Sequence, residues 1–347
     1  EDDKEEEEEV DEDDEDELLV KASINKPIVE MGTYGLPPDT FSPGQTSLEG
    51  LIERLSHSIA THSTHISSAH QSVSLMSHVE ALALAMESIR ALFGIRGLLR
   101  LGHRLVSFGL TAVHQTITAA SLVASMLSKS ASMLSKSVSS NQNNKKKDDN
   151  DDDDDINDDV LFQAATVLTW SVEKGCMLVS KLLKTHTRLI YSCAPLLTHF
   201  HILLLKTTNS FVNITDMKTS SFNTMNSSTQ RKQLLINIVE RLSRAASRVV
   251  ADCCHEKHIT TLKRHFPPVF VELVDMVGEW DMSSNEFARS AKRDLFPGYL
   301  AAVGVFGPRE LQQITSLLHG GPHDTPRSVF KEILEEHAKL NKFTGRF

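Results

Sequence analysis

The sequence predicts an all-α protein built as an irregular array of antiparallel helices. Apolar residues recur every three to four positions from Leu48 to the end of the 347-residue chain, which is the period of helices with one buried face. Val and Ile rarely alternate with polar residues in runs bounded by turn signals, so strands should be few. No strict repeat of about forty residues occurs, so stacked helix pairs would form a degenerate α-solenoid of the HEAT or armadillo type.

Two low-complexity segments dominate the formal net charge of -10. Residues 1–17 include fifteen acidic residues and one lysine, and residues 145–159 include nine aspartates and three lysines. The rest of the chain therefore carries a net charge of +10. Self-repelling carboxylates bury nothing that would offset ordering entropy, so both segments are predicted to be disordered. A basic body with acidic segments suits work near nucleic acid, although acidic runs also serve as solubilising linkers.

These changes in composition divide the chain into five segments. They are a disordered acidic tail at 1–17, an extended connector rich in Pro and Gly at 18–46, a first helical part at 47–138, a disordered acidic linker or insertion at 139–159, and a carboxyl-terminal helical domain at 160–347. The chain begins at Glu1 inside an acidic run, so we expect it to be a fragment or the carboxyl-terminal part of a longer protein.

Helices are expected from Ser47 onward, because that serine can cap the first one. The second helix should have one continuous apolar stripe, formed by Leu75, Val79, Leu82, Met86, Ile89 and Phe93. Residues 105–127 then lack charge for 23 positions, which is long enough to span a membrane. Their His, Gln, Ser and Thr content lowers the hydropathy, so a membrane span is the less favoured interpretation.

The second half of the chain predicts further helices at 160–180, 181–191, 195–207 and 233–254. The polar segment 207–229, rich in Ser, Thr and Asn, is predicted to be a loop. Beyond residue 264, at least four short helices should follow, since Pro267, Pro297, Pro308 and Pro326 each stand where a first helical turn could begin. Thr325 would cap the last helix, whose apolar face contains Phe330, Ile333 and Leu334.

No motif in the sequence predicts catalysis. The phosphate-cradling Gly-x-x-x-x-Gly-Lys-Ser, the Gly-x-Ser-x-Gly elbow and the His-Glu-x-x-His zinc motif are all missing. Cys254 and His258 would share a helix face, but a structural zinc site needs four ligands and no second pair stands at motif spacing. Buried thiols beside surface histidines are favoured instead. We therefore expect no enzyme activity, no metal and no cofactor.

Sixteen histidines occur, and five of them cluster early in the chain without sharing one helix face. These five are His57, His62, His65, His70 and His78. We interpret them as polar helix positions. The four cysteines, with Cys253 and Cys254 adjacent, do not make a disulfide framework in a chain of this size.

Basic residues at helical spacing form three stripes and one basic end. They are Arg96, Arg100 and Arg104; Lys174, Lys181, Lys184 and Arg188; Arg241, Arg244 and Arg248; and Lys339, Lys342 and Arg346. Such stripes can follow a phosphate backbone, since each neutralised phosphate releases counterions. An ordinary solvated helix face remains the alternative for any one stripe. Together with the basic body, the stripes favour contact with RNA or with an acidic protein partner.

Three stretches near the carboxyl terminus resemble one protein family. They are Leu295-Phe-Pro-Gly-Tyr-Leu-Ala-Ala-Val303, Glu310-Leu-Gln-Gln313 and a closing run whose matching places are held by Phe330, Lys331, Ile333, Lys339, Lys342, Phe343 and Gly345. They are similar to the carboxyl end of the unhealthy ribosome biogenesis protein 2 family, also called nucleolar preribosomal-associated protein 2. Leu334, Glu336 and His337 depart from the family pattern. The resemblance is clearest over residues 264–347 and reaches back to about Val160.

The resemblance implies a non-catalytic helical-repeat scaffold of ribosome biogenesis, which acts in large-subunit (60S) precursor rRNA processing in the nucleolus of the nucleus. It implies partners within the pre-60S particle, including a helical-repeat assembly factor and a DEAD-box helicase. Precursor rRNA would be contacted through basic helix faces, and no membrane is expected. Two alternatives stay open: a general helical-repeat adaptor or transport-type interaction module without a ribosomal role, and a membrane-associated helical protein using residues 105–127.

Overall fold

A computed structural model describes residues 43–69, 72–94, 102–140, 157–218, 225–254, 263–282, 285–318 and 325–344. Within these ranges the chain forms eleven α-helices and one 3-10 turn, Lys263–His265, and no strand occurs there, which confirms the all-α prediction. The helices are α1 (Pro43–Ser67), α2 (Ser72–Gly94), α3 (His103–Ser140), α4 (Asp158–Thr185), α5 (Thr187–Tyr191), α6 (Ala194–Lys218), α7 (Met225–Cys253), α8 (Pro267–Met282), α9 (Glu286–Val305), α10 (Pro308–Leu317) and α11 (Thr325–Thr344).

The long helices pair as antiparallel hairpins: α1 with α2, α3 with α4, α6 with α7, and α8 with α9. The hairpins stack so that α1, α3, α6 and α8 form a first layer and α2, α4, α7 and α9 form a second layer. Helices within a layer run parallel. In α4 and α7, for example, an ion pair joins the two amino-terminal ends (Asp159–Arg231) and another joins the two carboxyl-terminal ends (Lys184–Asp252). This two-layered stack is the helical array that the sequence predicts.

One apolar core runs through both layers. On α1, Ile52, Ile59 and Ile66 recur every seven residues and are fully buried. Beside them, the hydroxyls of Ser56 and Ser63 donate to the backbone carbonyls of Phe108 and Gln115 on α3. The α1–α2 hairpin is therefore an integral part of the array.

Helix α3 contains the described segment most compatible with a membrane. Residues 103–132 are long and apolar enough to span a bilayer, but more than half of their most apolar window is buried within the protein. Helix α3 packs against α1, α4 and α6, which cover its buried residues. Packing between helices thus accounts for the apolar composition that the sequence shows at 105–127.

The predicted loop at 207–229 is wrong over its first part, because α6 continues to Lys218. Its threonines do not break the helix: the hydroxyls of Thr207 and Thr208 donate to the carbonyls of Leu203 and Leu204 one turn earlier. Apolar residues among them, including Phe211, are fully buried and hold the turn in place. Helix α7 then begins at Met225, within the same predicted loop.

Pro297 does not begin a helix, contrary to the prediction, but lies inside α9. The helix begins eleven residues earlier, at Glu286, and the preceding Asn285 caps it by accepting a hydrogen bond from the backbone N–H of Phe287. An interior proline costs about 3 kcal/mol. Buried residues on both sides of it, such as Ala291 and Tyr299, pack in one register and offset that cost. Pro267, Pro308 and Pro326 do occupy first turns, as predicted.

Three other boundaries differ from the sequence prediction. Helix α1 begins at Pro43, inside the predicted connector 18–46, and α4 runs unbroken from Asp158 to Thr185. Helix α3 ends at Ser140, so both edges of the predicted linker 139–159 are helical. The tail 1–17, most of 18–46 and the middle of 139–159 lie outside the described residues.

The last two helices close the stack by packing on α8, and α11 also contacts α9. Phe330 and Ile333 on α11 are buried, as their spacing predicts. The ring of Phe330 meets that of Phe270 on α8 edge to face, with 5.8 Å between the centroids. The closing helix thereby covers an apolar face of the fourth hairpin.

Candidate functional site

Two of the predicted basic stripes lie side by side in the second layer, one on α4 and one on α7. We call their exposed surface the α4–α7 face. Its cations are Lys174, Lys181, Lys184, Arg241, Arg244 and Arg248, and its acids are Glu173, Glu240 and Asp252. Six positive and three negative side chains leave a surplus of three positive charges. The fold therefore joins two separate sequence features into one basic surface.

Half of these cations form ion pairs between helices. Arg241 lies 3.1 Å from Glu173 and Lys184 lies 2.9 Å from Asp252, so both pairs tie α7 to α4. Arg244 lies 3.1 Å from Glu240 on its own helix and 3.3 Å from Asp294 on α9. The three cations are each about half exposed or more, although Asp252 and Asp294 are largely buried, so a phosphate can approach these cations from solvent.

The other three cations of the face have different neighbours. The ammonium of Lys174 lies 5.2 Å from the ring centroid of Trp170, and that of Lys181 donates to the neutral carbonyl oxygen of Gly94 at 3.3 Å. Arg248 is exposed on α7. These three side chains supply the positive surplus, because the acids of the face are paired with the other three cations.

Sequence reasoning missed two apolar side chains on the same face. Trp170 and Met177 are each 39% exposed on α4. Trp170, Lys174, Met177 and Lys181 stand at i, i+4, i+7 and i+11, which places them along one side of the helix. That spacing was visible in the sequence, but periodicity alone cannot tell an exposed apolar stripe from a buried one.

The remaining predicted contact residues lie elsewhere. Arg104 is on α3 in the first layer, where its guanidinium donates to both carboxylate oxygens of Glu53 at 2.9 and 3.0 Å. Arg188 is exposed on the short α5, and Lys339 is exposed on α11. Lys342 belongs to the last turns of α11, while Arg96, Arg100 and Arg346 lie outside the described residues.

The surroundings of the cysteines make their thiols unreactive. All four are unpaired and buried, which confirms the prediction of buried thiols at Cys253 and Cys254. Burial raises the pKa of the Cys176 and Cys254 thiols to about 12, so neither is a ready nucleophile near neutral pH. Across the parts of the chain that the structure describes, no three His, Cys, Asp or Glu side chains group to hold a metal ion. His258 lies outside them.

Several histidines make contacts between helices, among them His62, His65 and His78, which were interpreted above as plain polar positions. Nδ1 of His62 on α1 lies 3.0 Å from Nδ1 of His78 on α2, and His65 stacks on His78. Nε2 of His114 on α3 lies 2.7 Å from Nδ1 of His199 on α6. Burial, followed by the neighbouring imidazoles, lowers the pKa of His78 and of His114. Nothing in the local spacing could predict these pairs.

A family model, described as the Urb2/Npa2 family, matches residues 95–346. The chain belongs to the Urb2/Npa2 family. The match spans α3 to α11 and so includes the whole α4–α7 face, and it reaches much further back than Val160, where the sequence resemblance faded. The α1–α2 hairpin precedes the matched region although it shares the same core. Membership associates this chain with ribosome biogenesis.

The other two comparisons add little. No curated protein matches the sequence. One solved structure, a computationally designed self-assembling cyclic homo-oligomer, aligns with a TM-score of 0.46 and 11% sequence identity, covering 85% of this chain and 98% of the designed one.

Proposed function

We propose that this Urb2/Npa2 protein is a non-catalytic scaffold of large-subunit (60S) ribosome assembly, which acts in precursor rRNA processing in the nucleolus. The α4–α7 face, a basic surface inside the family-matched region, is the observation that carries the proposal. Stacked hairpins give each layer a broad outer surface, which suits a protein that holds several components together. The family's connection with ribosome biogenesis supplies the setting.

On this proposal the α4–α7 face contacts phosphates of precursor rRNA. The cations on α4 and α7 lie in two parallel rows, and each phosphate that they neutralise releases counterions into solution. Binding should then weaken steeply as salt concentration rises. Protein partners would dock on other surfaces of the array; we propose that they include a helical-repeat assembly factor and a DEAD-box helicase of the pre-60S particle.

Charge reversal on the face tests the proposal. In Lys174→Glu/Lys181→Glu/Arg248→Glu, no residue with an acidic partner on the face is changed, so the helix-to-helix ion pairs stay. We expect the tagged variant to lose most of its co-sedimentation with pre-60S particles, above all at low salt, where electrostatic attraction is least screened. The matched control, Arg54→Glu/Lys129→Glu/Arg309→Glu, makes the same charge change at exposed positions elsewhere. Equal loss in both variants would attribute the effect to net charge and not to this face.

A basic end on α11 is a second, smaller candidate contact. Lys339 is exposed there, and Lys342 and Arg346 follow it in the sequence. Reversing the three charges leaves Phe330 and Ile333 in their packing and should reduce attachment to the particle alone. Binding equal to that of the parent protein at every salt concentration would show that this end is only a solvated surface.

A general helical adaptor without a ribosomal role is the alternative, and the ion pairs of the face favour it, because they satisfy half of its cations within the protein. The two functions differ in one measurement. An adaptor would not sediment with pre-60S particles at any salt concentration.

A further inference from the structure

We infer that Trp170 is a stacking platform for an unpaired nucleobase, so that the α4–α7 face binds single-stranded RNA. This inference rests on the proposed function, because it names the form of RNA that the face would take. Trp170 is 39% exposed, whereas the other tryptophan of the chain, Trp280, is only 3% exposed. A large exposed aromatic side chain amid cations is the combination that proteins use to bind single strands.

The indole lies within a row of suitable neighbours. Trp170, Lys174, Met177 and Lys181 follow one side of α4 over about 16 Å. The Lys174 ammonium lies over the indole ring, 5.2 Å from its centroid, so a base that stacks on that side would displace the ammonium towards the phosphate of the same nucleotide. Met177 adds a second exposed apolar contact one turn beyond Lys174. Aromatic, cationic and apolar groups therefore alternate along a single track.

Acids near Trp170 do not cancel this charge. Glu173 is paired with Arg241 on α7 at 3.1 Å. Glu87 on α2 also lies near Lys174. The pKa of Glu87 is lowered mainly by its hydrogen bond from the Arg90 side chain, and Lys174 contributes less to that shift. Each nearby carboxylate thus has its own guanidinium, and the charge of Lys174 remains as an addition to both pairs.

A single strand fits these groups better than a duplex does. Bases of a duplex are stacked and paired, so only phosphates and sugars reach a flat helix surface, and an exposed indole would gain nothing from them. An unpaired base has a free π-face, and its stacking on an aromatic side chain is tolerant of sequence. The carboxylates of an acidic protein segment would satisfy the lysines but supply no aromatic base to stack on the ring.

Fluorescence of the full chain tests the inference directly. Trp280 is buried and its indole N–H donates to Asn209 at 2.8 Å, so quenching by added RNA reports on Trp170. We expect a short single-stranded RNA of mixed sequence to quench the indole emission, and an oligomer of equal length lacking its central bases to bind more weakly and to quench less. Trp170→Phe should keep most of the affinity, since phenylalanine also stacks.

Alanine substitution gives the size of the effect. Trp170→Ala should weaken single-strand binding about tenfold, measured by fluorescence anisotropy of labelled RNA. Leu317→Ala, which truncates an even more exposed apolar side chain on α10, should leave binding unchanged. Circular dichroism and urea unfolding of each variant confirm that the fold is kept.

Two results would overturn the inference. If the triple charge reversal abolishes binding while Trp170→Ala binds as the parent does and no quenching occurs, the face binds phosphates only, and the proposed function survives without the stacking platform. If the parent binds no single-stranded RNA, yet Trp170→Ala releases the protein from pre-60S particles, Trp170 docks on a protein. The inference is supported if Trp170→Ala loses affinity for the intact RNA, and the parent loses a similar amount of affinity when the RNA lacks its central bases.

Discussion

The α6–α7 hairpin and the α8–α9 hairpin contact each other in both layers, but the groups that form the contact differ between the layers. In the second layer α7 and α9 touch through backbone: the Gly298 N–H donates to the Ser247 hydroxyl at 2.9 Å, and a β-carbon on Gly298 would lie 2.1 Å from the Ser247 carbonyl oxygen. In the first layer, contacts between α6 and α8 and the adjoining turn use large side chains, as in the 5.7 Å contact of His201 with Phe266.

The two contacts differ in the structural changes that they tolerate. The α7–α9 contact has no room for one added carbon atom, because backbone cannot move as an isolated side chain can. The α6–α8 region tolerates an imperfect fit, since Nε2 of His201 is buried beside a small cavity with no hydrogen-bond partner from the described residues. The α7–α9 contact is therefore sensitive to added volume, whereas the α6–α8 contact is sensitive to the unpaired polar atom buried in it.

The largest expected effect is that of Leu242→Asp, on the face of α7 that lies in the core. Leu242 is fully buried, so the variant places an unpaired carboxylate in an apolar site, and we expect a loss of at least about 4 kcal/mol in the free energy of unfolding. Urea unfolding measures it. Asn237→Asp, at an exposed position of the same helix, should change stability little; a similar loss there would mean that charge on α7, not burial, is responsible.

Gly298→Ala tests the limit of space in the α7–α9 contact. The added methyl must push α9 away from α7, and we expect a loss of about 3 kcal/mol. Gly50→Ala on α1 is the matched control: nothing lies within 4 Å of its added carbon, so better helix propensity should stabilise the protein by up to about 1 kcal/mol. Unfolding midpoints that shift alike in both variants would contradict a limit of space at the α7–α9 contact.

The pH dependence of stability tests whether the His201 imidazole between α6 and α8 is buried in its neutral form. Burial lowers the pKa of His201 to about 4, so its imidazole is neutral in the folded protein, while the unfolded chain binds a proton below about pH 6.5. Its contribution is therefore present above about pH 6.5 and is lost as the pH falls towards 4, by up to about 3 kcal/mol. His201→Phe should remove that part of the pH dependence. Parallel stability curves for parent and variant would contradict burial of the neutral ring.

The smallest expected effect concerns the ion pairs of the α4–α7 face. A double-mutant cycle of Arg241→Gln and Glu173→Gln should give a coupling energy below about 1 kcal/mol, which decreases with added salt. Weak coupling keeps the arginine available for phosphate. A much larger, salt-independent coupling would make the pair a structural strut of the second layer and would weaken the case for RNA contact there.

Much of the fold could be predicted from local patterns. The stripe from Leu75 to Phe93 and the face of Phe330 and Ile333 are buried as their spacing indicates. The errors arose where local preference was overruled by packing. Thr207 and Pro297 are poor helix-interior residues by propensity, yet both lie in helices whose buried neighbours outweigh that cost.

The candidate site was harder to foresee. The sequence showed the stripes of Lys174 and Arg241 but gave no sign that they would adjoin, nor that Arg104 would lie in the other layer. The exposure of Trp170 was equally hidden, since a tryptophan at helical spacing is more often part of a core.

By itself, the sequence determined most of the helical segments and the apolar side of most helices, because both depend on residues within a few turns of one another. Tertiary structure alone decided which helices are neighbours. That choice joins Arg241 to Glu173 and Gly298 to Ser247, residues that lie 68 and 51 positions apart in the chain. Contacts over such distances depend on how whole faces fit together, and no local period encodes that fit.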